Sequence, residues 1–99
     1  MIRPSLEEAI SEKPRSIEHL ERVRKLELDK IARMNRSELE EMMLWLENKL
    51  FEERAMLRLL RENRARYPEL ITPEKITYKE RSIMMFESLR EAVKRRLGK

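Results

Sequence analysis

Apolar residues recur every three or four positions along most of the chain, which is the spacing of one face of an α-helix. Prolines and short polar turns interrupt the pattern, with Pro14 and Pro68 closing the first and third segments. The third segment is the longest, and Gly98 ends the fourth. The pattern predicts an all-α fold of four helices, with a short N-terminal helix and a long central one, near residues 5–13, 16–34, 37–66 and 73–97.

The helix starts carry recognisable capping residues. Ser, Thr and Asn side chains accept hydrogen bonds from the first free backbone N–H groups of a helix, and a Glu three residues later completes a capping box. The predicted caps are Ser5 with Glu8, Ser16, Ser37 with Glu40, and Thr72 before Pro73, with Thr77 and Glu80 as a rival start for the last helix.

The inward faces follow from the same periodicity. The second helix is predicted to turn Ile17, Leu20, Val23, Leu28 and Ile31 inward. The core face of the third helix is predicted to contain Leu39, Met42, Met43, Leu46, Leu50, Leu57 and Leu60. The facing residues of the fourth helix are predicted to be Ile83, Phe86, Leu89 and Val93.

Composition narrows the class further. The chain is 42% charged, with one Gly and no Cys, so hairpin turns and disulfide frameworks have little support. Ninety-nine residues have room for one core, and we expect a single helical domain over residues 1–99. No apolar run approaches the roughly 20 residues of a membrane span, and the acidic N-terminus does not resemble a signal peptide. We expect a cytoplasmic or intracellular protein, located in the host cell if it is viral.

The absence of Gln and the abundance of Glu, Lys and Arg match the composition of hyperthermophile proteins, whereas seven Met residues point the other way. We expect a thermostable protein of a thermophile or of a virus that infects one.

The segment "MMLWL", residues 42–46, raises the question of what covers the third helix. At 100° per residue these five side chains leave no polar side, so the sequence predicts cover by the first helix or by a second copy. The same helix carries six acids and one base over residues 37–53, then five Arg and one Glu over 54–66. Two copies of the helix place the acidic half of one against the basic half of the other only when they run antiparallel. Alternatively, bases of the fourth helix could pair with the acidic half and acids of the second helix with the basic half, within one chain.

The favoured hypothesis is therefore a non-enzymatic interaction or structural protein that acts as an antiparallel homodimer. The predicted dimer interface comprises Leu39, Met42, Met43, Trp45, Leu46 and Leu50.

No side-chain constellation predicts catalysis, a metal site or a cofactor. His19 is the only histidine, so a metal site would need several carboxylates from elsewhere, and no small-molecule substrate is indicated. The Met pairs at 42–43 and 84–85 are interpreted as core. Glu47, Glu52 and Glu53 are interpreted as charges of a solvated helix face, because carboxylates one or five residues apart point to different sides.

A basic stripe supports an alternative function. Arg54, Arg58 and Arg61 share one helix face, and such stripes fit the phosphate backbone of nucleic acids. Non-specific nucleic-acid binding would then use Arg54, Arg58, Arg61, Arg64, Arg66, Lys94, Arg95 and Arg96, although the net charge is only +4.

A third alternative is a small helical dimeric enzyme that resembles chorismate mutases. The resemblance is to small all-helical dimers that bind a dianion with Arg and Lys from several helices and with a polar amide. It would assign that role to Arg24, Arg54 and Lys49, although the chain lacks Gln and reproduces no motif of the family.

Overall fold

In the computed structural model, which describes residues 3–99, the chain forms four α-helices: α1 (Leu6–Ser11), α2 (Ile17–Arg33), α3 (Arg36–Asn63) and α4 (Pro73–Leu97). The predicted all-α fold of four helices is confirmed, and no strand occurs in the described part of the chain. α1 ends two residues and α3 three residues earlier than predicted, because residues 64–66 form a turn.

Most predicted caps are present, and one is displaced. The side chains of Ser5, Ser16 and Thr72 each accept a hydrogen bond from the backbone N–H three residues later. The capping box predicted at Ser37 is wrong, because Asn35 begins α3 two residues earlier. Its side chain accepts from the N–H of Glu38, and the Glu38 carboxylate accepts from the N–H of Asn35.

α4 is the central helix of the fold. α3 and α2 both pack along α4, whereas α2 and α3 make few direct contacts with each other. The resulting molecule is flat, with extents of 46 × 30 × 18 Å, and the thin direction is less than two helix diameters of about 10 Å each. Over residues 44–51, the side of α3 that faces away from α4 is left open, with Leu44 and Phe51 exposed.

The main core lies where α3 and α2 meet α4. All predicted core residues of α3 and α4 are buried except Met42, which is partly buried. Two other predictions are wrong: Ile17 is 50% exposed, and Met84 is 67% exposed instead of core. α2 packs along only α4, so the strip of α2 that is covered is narrow and excludes Ile17. Met84 lies on the side of α4 opposite its buried residues.

A second, smaller core holds α1 in place. Ala9 of α1 packs with Leu60 of α3 and with Ile71 of the connection before α4, and Leu6 and Ile10 border this cluster. These contacts lie at the C-terminal half of α3, about four helical turns beyond residues 42–46. The prediction that the first helix could cover residues 42–46 is therefore wrong, because α1 packs elsewhere on α3.

A buried ion pair joins α3 to α4. The Lys79 ammonium donates to Glu53 at 2.9 Å and also to Glu12, and Ser82 donates to the second oxygen of Glu53 at 2.9 Å. Lys79 is 1% exposed and Glu53 is 3% exposed. The interpretation of Glu53 as a solvated charge is wrong, because Glu53 occupies the core face, seven residues after Leu46 and four before Leu57.

Two further cations of α4 anchor the neighbouring segments. Lys75 Nζ donates to the carbonyl of Ile10 at 2.5 Å, at the end of α1. Arg96 donates to the carbonyls of Ile31 at 2.6 Å and Met34 at 3.1 Å at the C-terminus of α2. The Ile31 carbonyl also accepts from the backbone N–H of Met34. α4 thus fixes α1 and α2 through charge as well as through apolar packing.

Candidate interaction surface on α3

The outer face of α3 carries six residues separated alternately by four and three positions, which we call the outer seam. The seam consists of Leu44, Asn48, Phe51, Ala55, Arg58 and Glu62. Leu44 is 66% exposed and Phe51 is 41% exposed, although both are large and apolar. Alternating steps of four and three are the spacing with which helices pack side by side, so the outer seam has the pattern of a helix-binding stripe.

Trp45 lies at the edge of this face and is held in place. It is 50% exposed and meets the ring of Phe86 edge to face, with centroids 6.0 Å apart. The Lys49 ammonium lies 5.9 Å from the centroid of the same Phe86 ring. An indole that is anchored on one side and open on the other presents apolar area with little conformational freedom to lose on binding.

The C-terminal part of the outer seam forms the floor of a groove of about 770 Å³. Phe51, Ala55 and Leu59 line the floor, the N-terminal Arg3 lies on its rim, and Arg90 of α4 contributes a further cation. Nε of Arg90 is buried and has no hydrogen-bond partner within residues 3–99. Glu47 and Glu62 also line the groove, which therefore combines apolar area with charges of both signs and an excess of cations.

The basic half of α3 is already partly neutralised by carboxylates. Arg54 pairs with Glu87 at 3.1 Å and Arg61 pairs with Glu80 at 3.0 Å, both across to α4, and Arg58 pairs with Glu62 at 2.8 Å along α3. The predicted intramolecular alternative placed bases of α4 against the acidic half of α3. Two α3–α4 salt bridges of the described chain have the opposite polarity, with acids of α4 against bases of α3. The Lys79–Glu53 pair has the predicted polarity, with a base of α4 against an acid of α3.

The exposed carboxylates in the acidic half of α3 have few partners. Glu40 pairs with Arg36 at 3.2 Å, one turn earlier on α3. Glu41 and Glu47 are exposed and form no salt bridge within residues 3–99. The outer face of α3 thus carries unpaired carboxylates at one end and guanidinium groups at the other.

The predicted dimer interface separates into covered and open residues. Leu39, Met43, Leu46 and Leu50 are covered by their own chain, at 8% exposure or less, and leave no surface for a partner. Met42 is partly buried, and only Trp45 of the predicted set is exposed. Of residues 42–46, Met43 and Leu46 are covered by their own chain in the core that α3 shares with α4, whereas Leu44 and Trp45 stay exposed. The exposed seam residues Leu44 and Phe51 were not predicted, although their seven-residue separation is visible in the sequence.

The predicted nucleic-acid stripe is split between two ends of the molecule. α3 and α4 run antiparallel, as the Arg61–Glu80 and Arg54–Glu87 pairs require. Lys94, Arg95 and Arg96 therefore lie about 20 Å along α4 from the level of Arg61. Arg64 and Arg66 are exposed in the turn after α3, whereas Arg96 is engaged by the carbonyls of α2. The predicted basic residues therefore lie at different levels along the molecule.

The residues that the chorismate mutase alternative would need are also dispersed. Arg24 donates to Ser88 at 3.1 Å, Arg54 pairs with Glu87, and Lys49 lies over Phe86. Three successive residues of α4 point in directions 100° apart, so their three cationic partners lie on different sides of that helix. Among residues 3–99, no three His, Cys, Asp or Glu side chains are grouped closely enough to hold a metal ion.

Comparison of the chain with protein-family models, with curated proteins and with solved structures finds no match. Between residues 3 and 99, none of the helices combines the length and the apolar character that crossing a membrane requires.

Proposed function

We propose that this chain is a non-enzymatic interaction or structural protein that acts as a homodimer, with the outer face of α3 as its contact surface. One observation carries the proposal: Leu44, Trp45 and Phe51 are large, apolar and 41–66% exposed on one side of a single helix. A cluster of exposed apolar side chains that includes an aromatic anchor is typical of protein contact surfaces.

The charge distribution supports a second copy as the partner. The exposed carboxylates Glu41 and Glu47 lie at one end of the face, and Arg54, Arg58 and Arg61 lie toward the other. An antiparallel copy sets each end against its opposite, whereas a parallel copy sets like charge against like. The flat shape adds a further reason, because a second copy on α3 would complete a thicker, two-layered helical assembly.

Light scattering over a range of concentrations tests the proposal. The wild-type chain should have the mass of a dimer at micromolar concentration. The double variant Leu44→Ser/Phe51→Ser should weaken association by at least about a hundredfold, because it removes four large apolar side chains from a twofold interface.

The matched control removes equally exposed apolar side chains from other helices. Leu26 of α2 is 61% exposed and Met84 of α4 is 67% exposed, and Leu26→Ser/Met84→Ser should leave the dimer unaffected. A wild-type monomer at hundreds of micromolar protein contradicts the homodimer. A dimer that the control variant disrupts and the α3 variant does not would move the interface away from α3.

Non-specific nucleic-acid binding is the second candidate, and one observation favours it. Arg64 and Arg66 are exposed and form no salt bridge within residues 3–99. Binding of a duplex should weaken steeply with salt, because neutralised phosphates release counterions. An anisotropy titration at low salt tests it, with Arg64→Glu/Arg66→Glu as the sensitive variant and Arg22→Glu/Arg33→Glu on α2 as the control. No binding at micromolar protein excludes this function.

A further inference from the structure

The geometry of the outer seam points to one register for the two copies of α3, and this inference rests on the proposed homodimer. We infer that Leu44 of one copy packs beside Ala55 of the other, and Asn48 beside Phe51. In antiparallel helix pairs with steps of four and three, the two kinds of seam position alternate across the interface. The Leu44 to Ala55 pairing sets a large side chain against a small one at each end of two central layers, in which Asn48 of either copy lies beside Phe51 of the other.

Charged residues that flank the outer seam match in this register. Glu40, Glu47, Arg54 and Arg61 recur every seven residues along one edge of the seam, and all four are exposed. When Leu44 lies beside Ala55, Glu47 lies beside Arg54 of the second copy and Glu40 beside Arg61. The twofold axis repeats each pair, so four opposite-charge contacts form along the two edges.

One further pair of opposite charges lies within the seam itself, one position beyond the Leu44 to Ala55 pairing. In this register Glu41 of one copy lies beside Arg58 of the other. Glu41 has no salt bridge within residues 3–99, and Arg58 is 80% exposed while paired with Glu62. Arg58 therefore has room to accept a second carboxylate from the partner.

Neighbouring registers are opposed by like charges and by buried ionic groups. A shift of seven residues in one direction brings Glu47 against Glu47 and Phe51 against Glu41. A shift in the other direction brings Arg54 against Arg54 and Leu44 against Glu62. A parallel, in-register pair sets Arg58 against Arg58 and Glu62 against Glu62. Only the inferred register avoids all of these contacts.

The existing salt bridges of α3 are compatible with the partner. Arg54 uses one terminal nitrogen for Glu87, and Arg61 uses one for Glu80. A guanidinium group carries five N–H donors, so each Arg has donors left for a carboxylate of the second copy. For Arg54 that carboxylate belongs to Glu47, which forms no salt bridge within residues 3–99, and for Arg61 it belongs to Glu40.

Cysteine cross-linking tests the register, and the chain has no native Cys to interfere. Leu44→Cys and Ala55→Cys single variants are prepared separately, mixed under reducing conditions and then oxidised gently. The mixed disulfide, which joins one chain of each variant, should exceed either homodisulfide by at least about tenfold. Two copies of Leu44 are separated by about 16 Å along the helix axis alone in this register, whereas disulfides need Cα atoms within about 7 Å. A Met84→Cys variant, on the outer side of α4, should remain uncrosslinked.

A charge reversal provides a second test of the register that does not depend on disulfide geometry. Glu47→Arg should raise the dimer dissociation constant by about tenfold, because it turns two attractive contacts with Arg54 into repulsive ones. Glu69→Arg, in the connection before α4, changes the net charge equally and should not affect association.

The outcomes separate the register from the homodimer. Variants that still dimerise but form mainly the homodisulfide of the Leu44→Cys chain overturn the register and leave the homodimer intact, as does a Glu47→Arg chain that associates like the wild type. A wild-type chain that light scattering finds monomeric refutes the proposed function, and the register falls with it.

Discussion

Replacing Lys79 with Met isolates the contribution of the buried ion pair. Met keeps an unbranched side chain of similar length and removes the ammonium that joins Glu53 to Glu12. Glu53 is 3% exposed, so its carboxylate would be left in the core with only the Ser82 hydroxyl as a donor among the side chains it now contacts. Glu12 is different, because a third of its side chain is exposed and water can replace the ammonium.

The expected loss of unfolding free energy is large for a chain of this size. Breaking a buried ion pair by removing one partner costs about 3–5 kcal/mol, because an uncompensated charge remains. A 99-residue domain has a total stability of about 5–15 kcal/mol, so Lys79→Met should remove a third or more of it in the middle of that range. A 3 kcal/mol loss corresponds to a fall in Tm of roughly 12–24 °C.

Denaturant unfolding followed by circular dichroism measures the effect, with all variants at one protein concentration because dimerisation contributes to apparent stability. The double variant Lys79→Met/Glu53→Leu should recover most of the loss, since it replaces both buried charges by apolar groups. About 1 kcal/mol should remain lost, because Ser82 no longer has an acceptor. A loss below about 1 kcal/mol for Lys79→Met, which is the range of surface pairs, would refute the reasoning, and so would a double variant as unstable as the single variants combined.

Three further predictions concern pH, packing and heat. Burial and then the charge of Glu12 raise the pKa of Tyr78 above its ordinary value of 10.0, so the stability contributed by its neutral hydroxyl is complete below pH 10 and is lost as the pH rises through the folded-state pKa. Tyr78→Phe should therefore reduce the fall in the urea midpoint of unfolding between pH 9 and pH 11. A fall as large as that of the wild type contradicts this prediction. Leu46 is fully buried, so Leu46→Ala should cost about 2–5 kcal/mol in denaturant unfolding. Leu26→Ala, on the exposed side of α2 and outside the proposed interface, should cost less than about 0.5 kcal/mol, and equal losses would contradict the face assignment. The ion-pair-rich, Gln-free composition predicts a Tm above about 65 °C by calorimetry, and a lower value contradicts a thermophilic origin.

Local signals in the sequence determined the helices and most of their ends. Ser5, Ser16 and Thr72 cap the helices that they were predicted to cap, because an N-cap needs only its own side chain and a backbone N–H three residues away. Gly98 closes α4 in the left-handed conformation, with φ of 74°. The core stripe of α3 was readable for the same reason, since 3.6 residues per turn fixes which side chains share a face.

The helical spacing of Glu53 and Lys79 indicated burial, whereas their charges indicated exposure. Glu53 continues the core spacing of Leu46, Leu50 and Leu57, so its position predicts burial whereas its charge predicts exposure. A buried carboxylate is tolerated only beside a cation and a further donor. That partner comes from α4, 26 residues further along the chain, and its presence follows from tertiary packing rather than from local pattern.

Which side of α3 stays open was likewise decided by the tertiary structure. The sequence shows that residues 42–46 have no polar side, and this is a property of one helix alone. α4 occupies the centre of the molecule and α1 packs near Leu60, so Met43 and Leu46 are covered whereas Leu44 and Trp45 are not. Helical periodicity fixes which side chains share a face, but the free energy of burying one face rather than another depends on where neighbouring helices dock, and that is set by contacts between residues far apart in the chain.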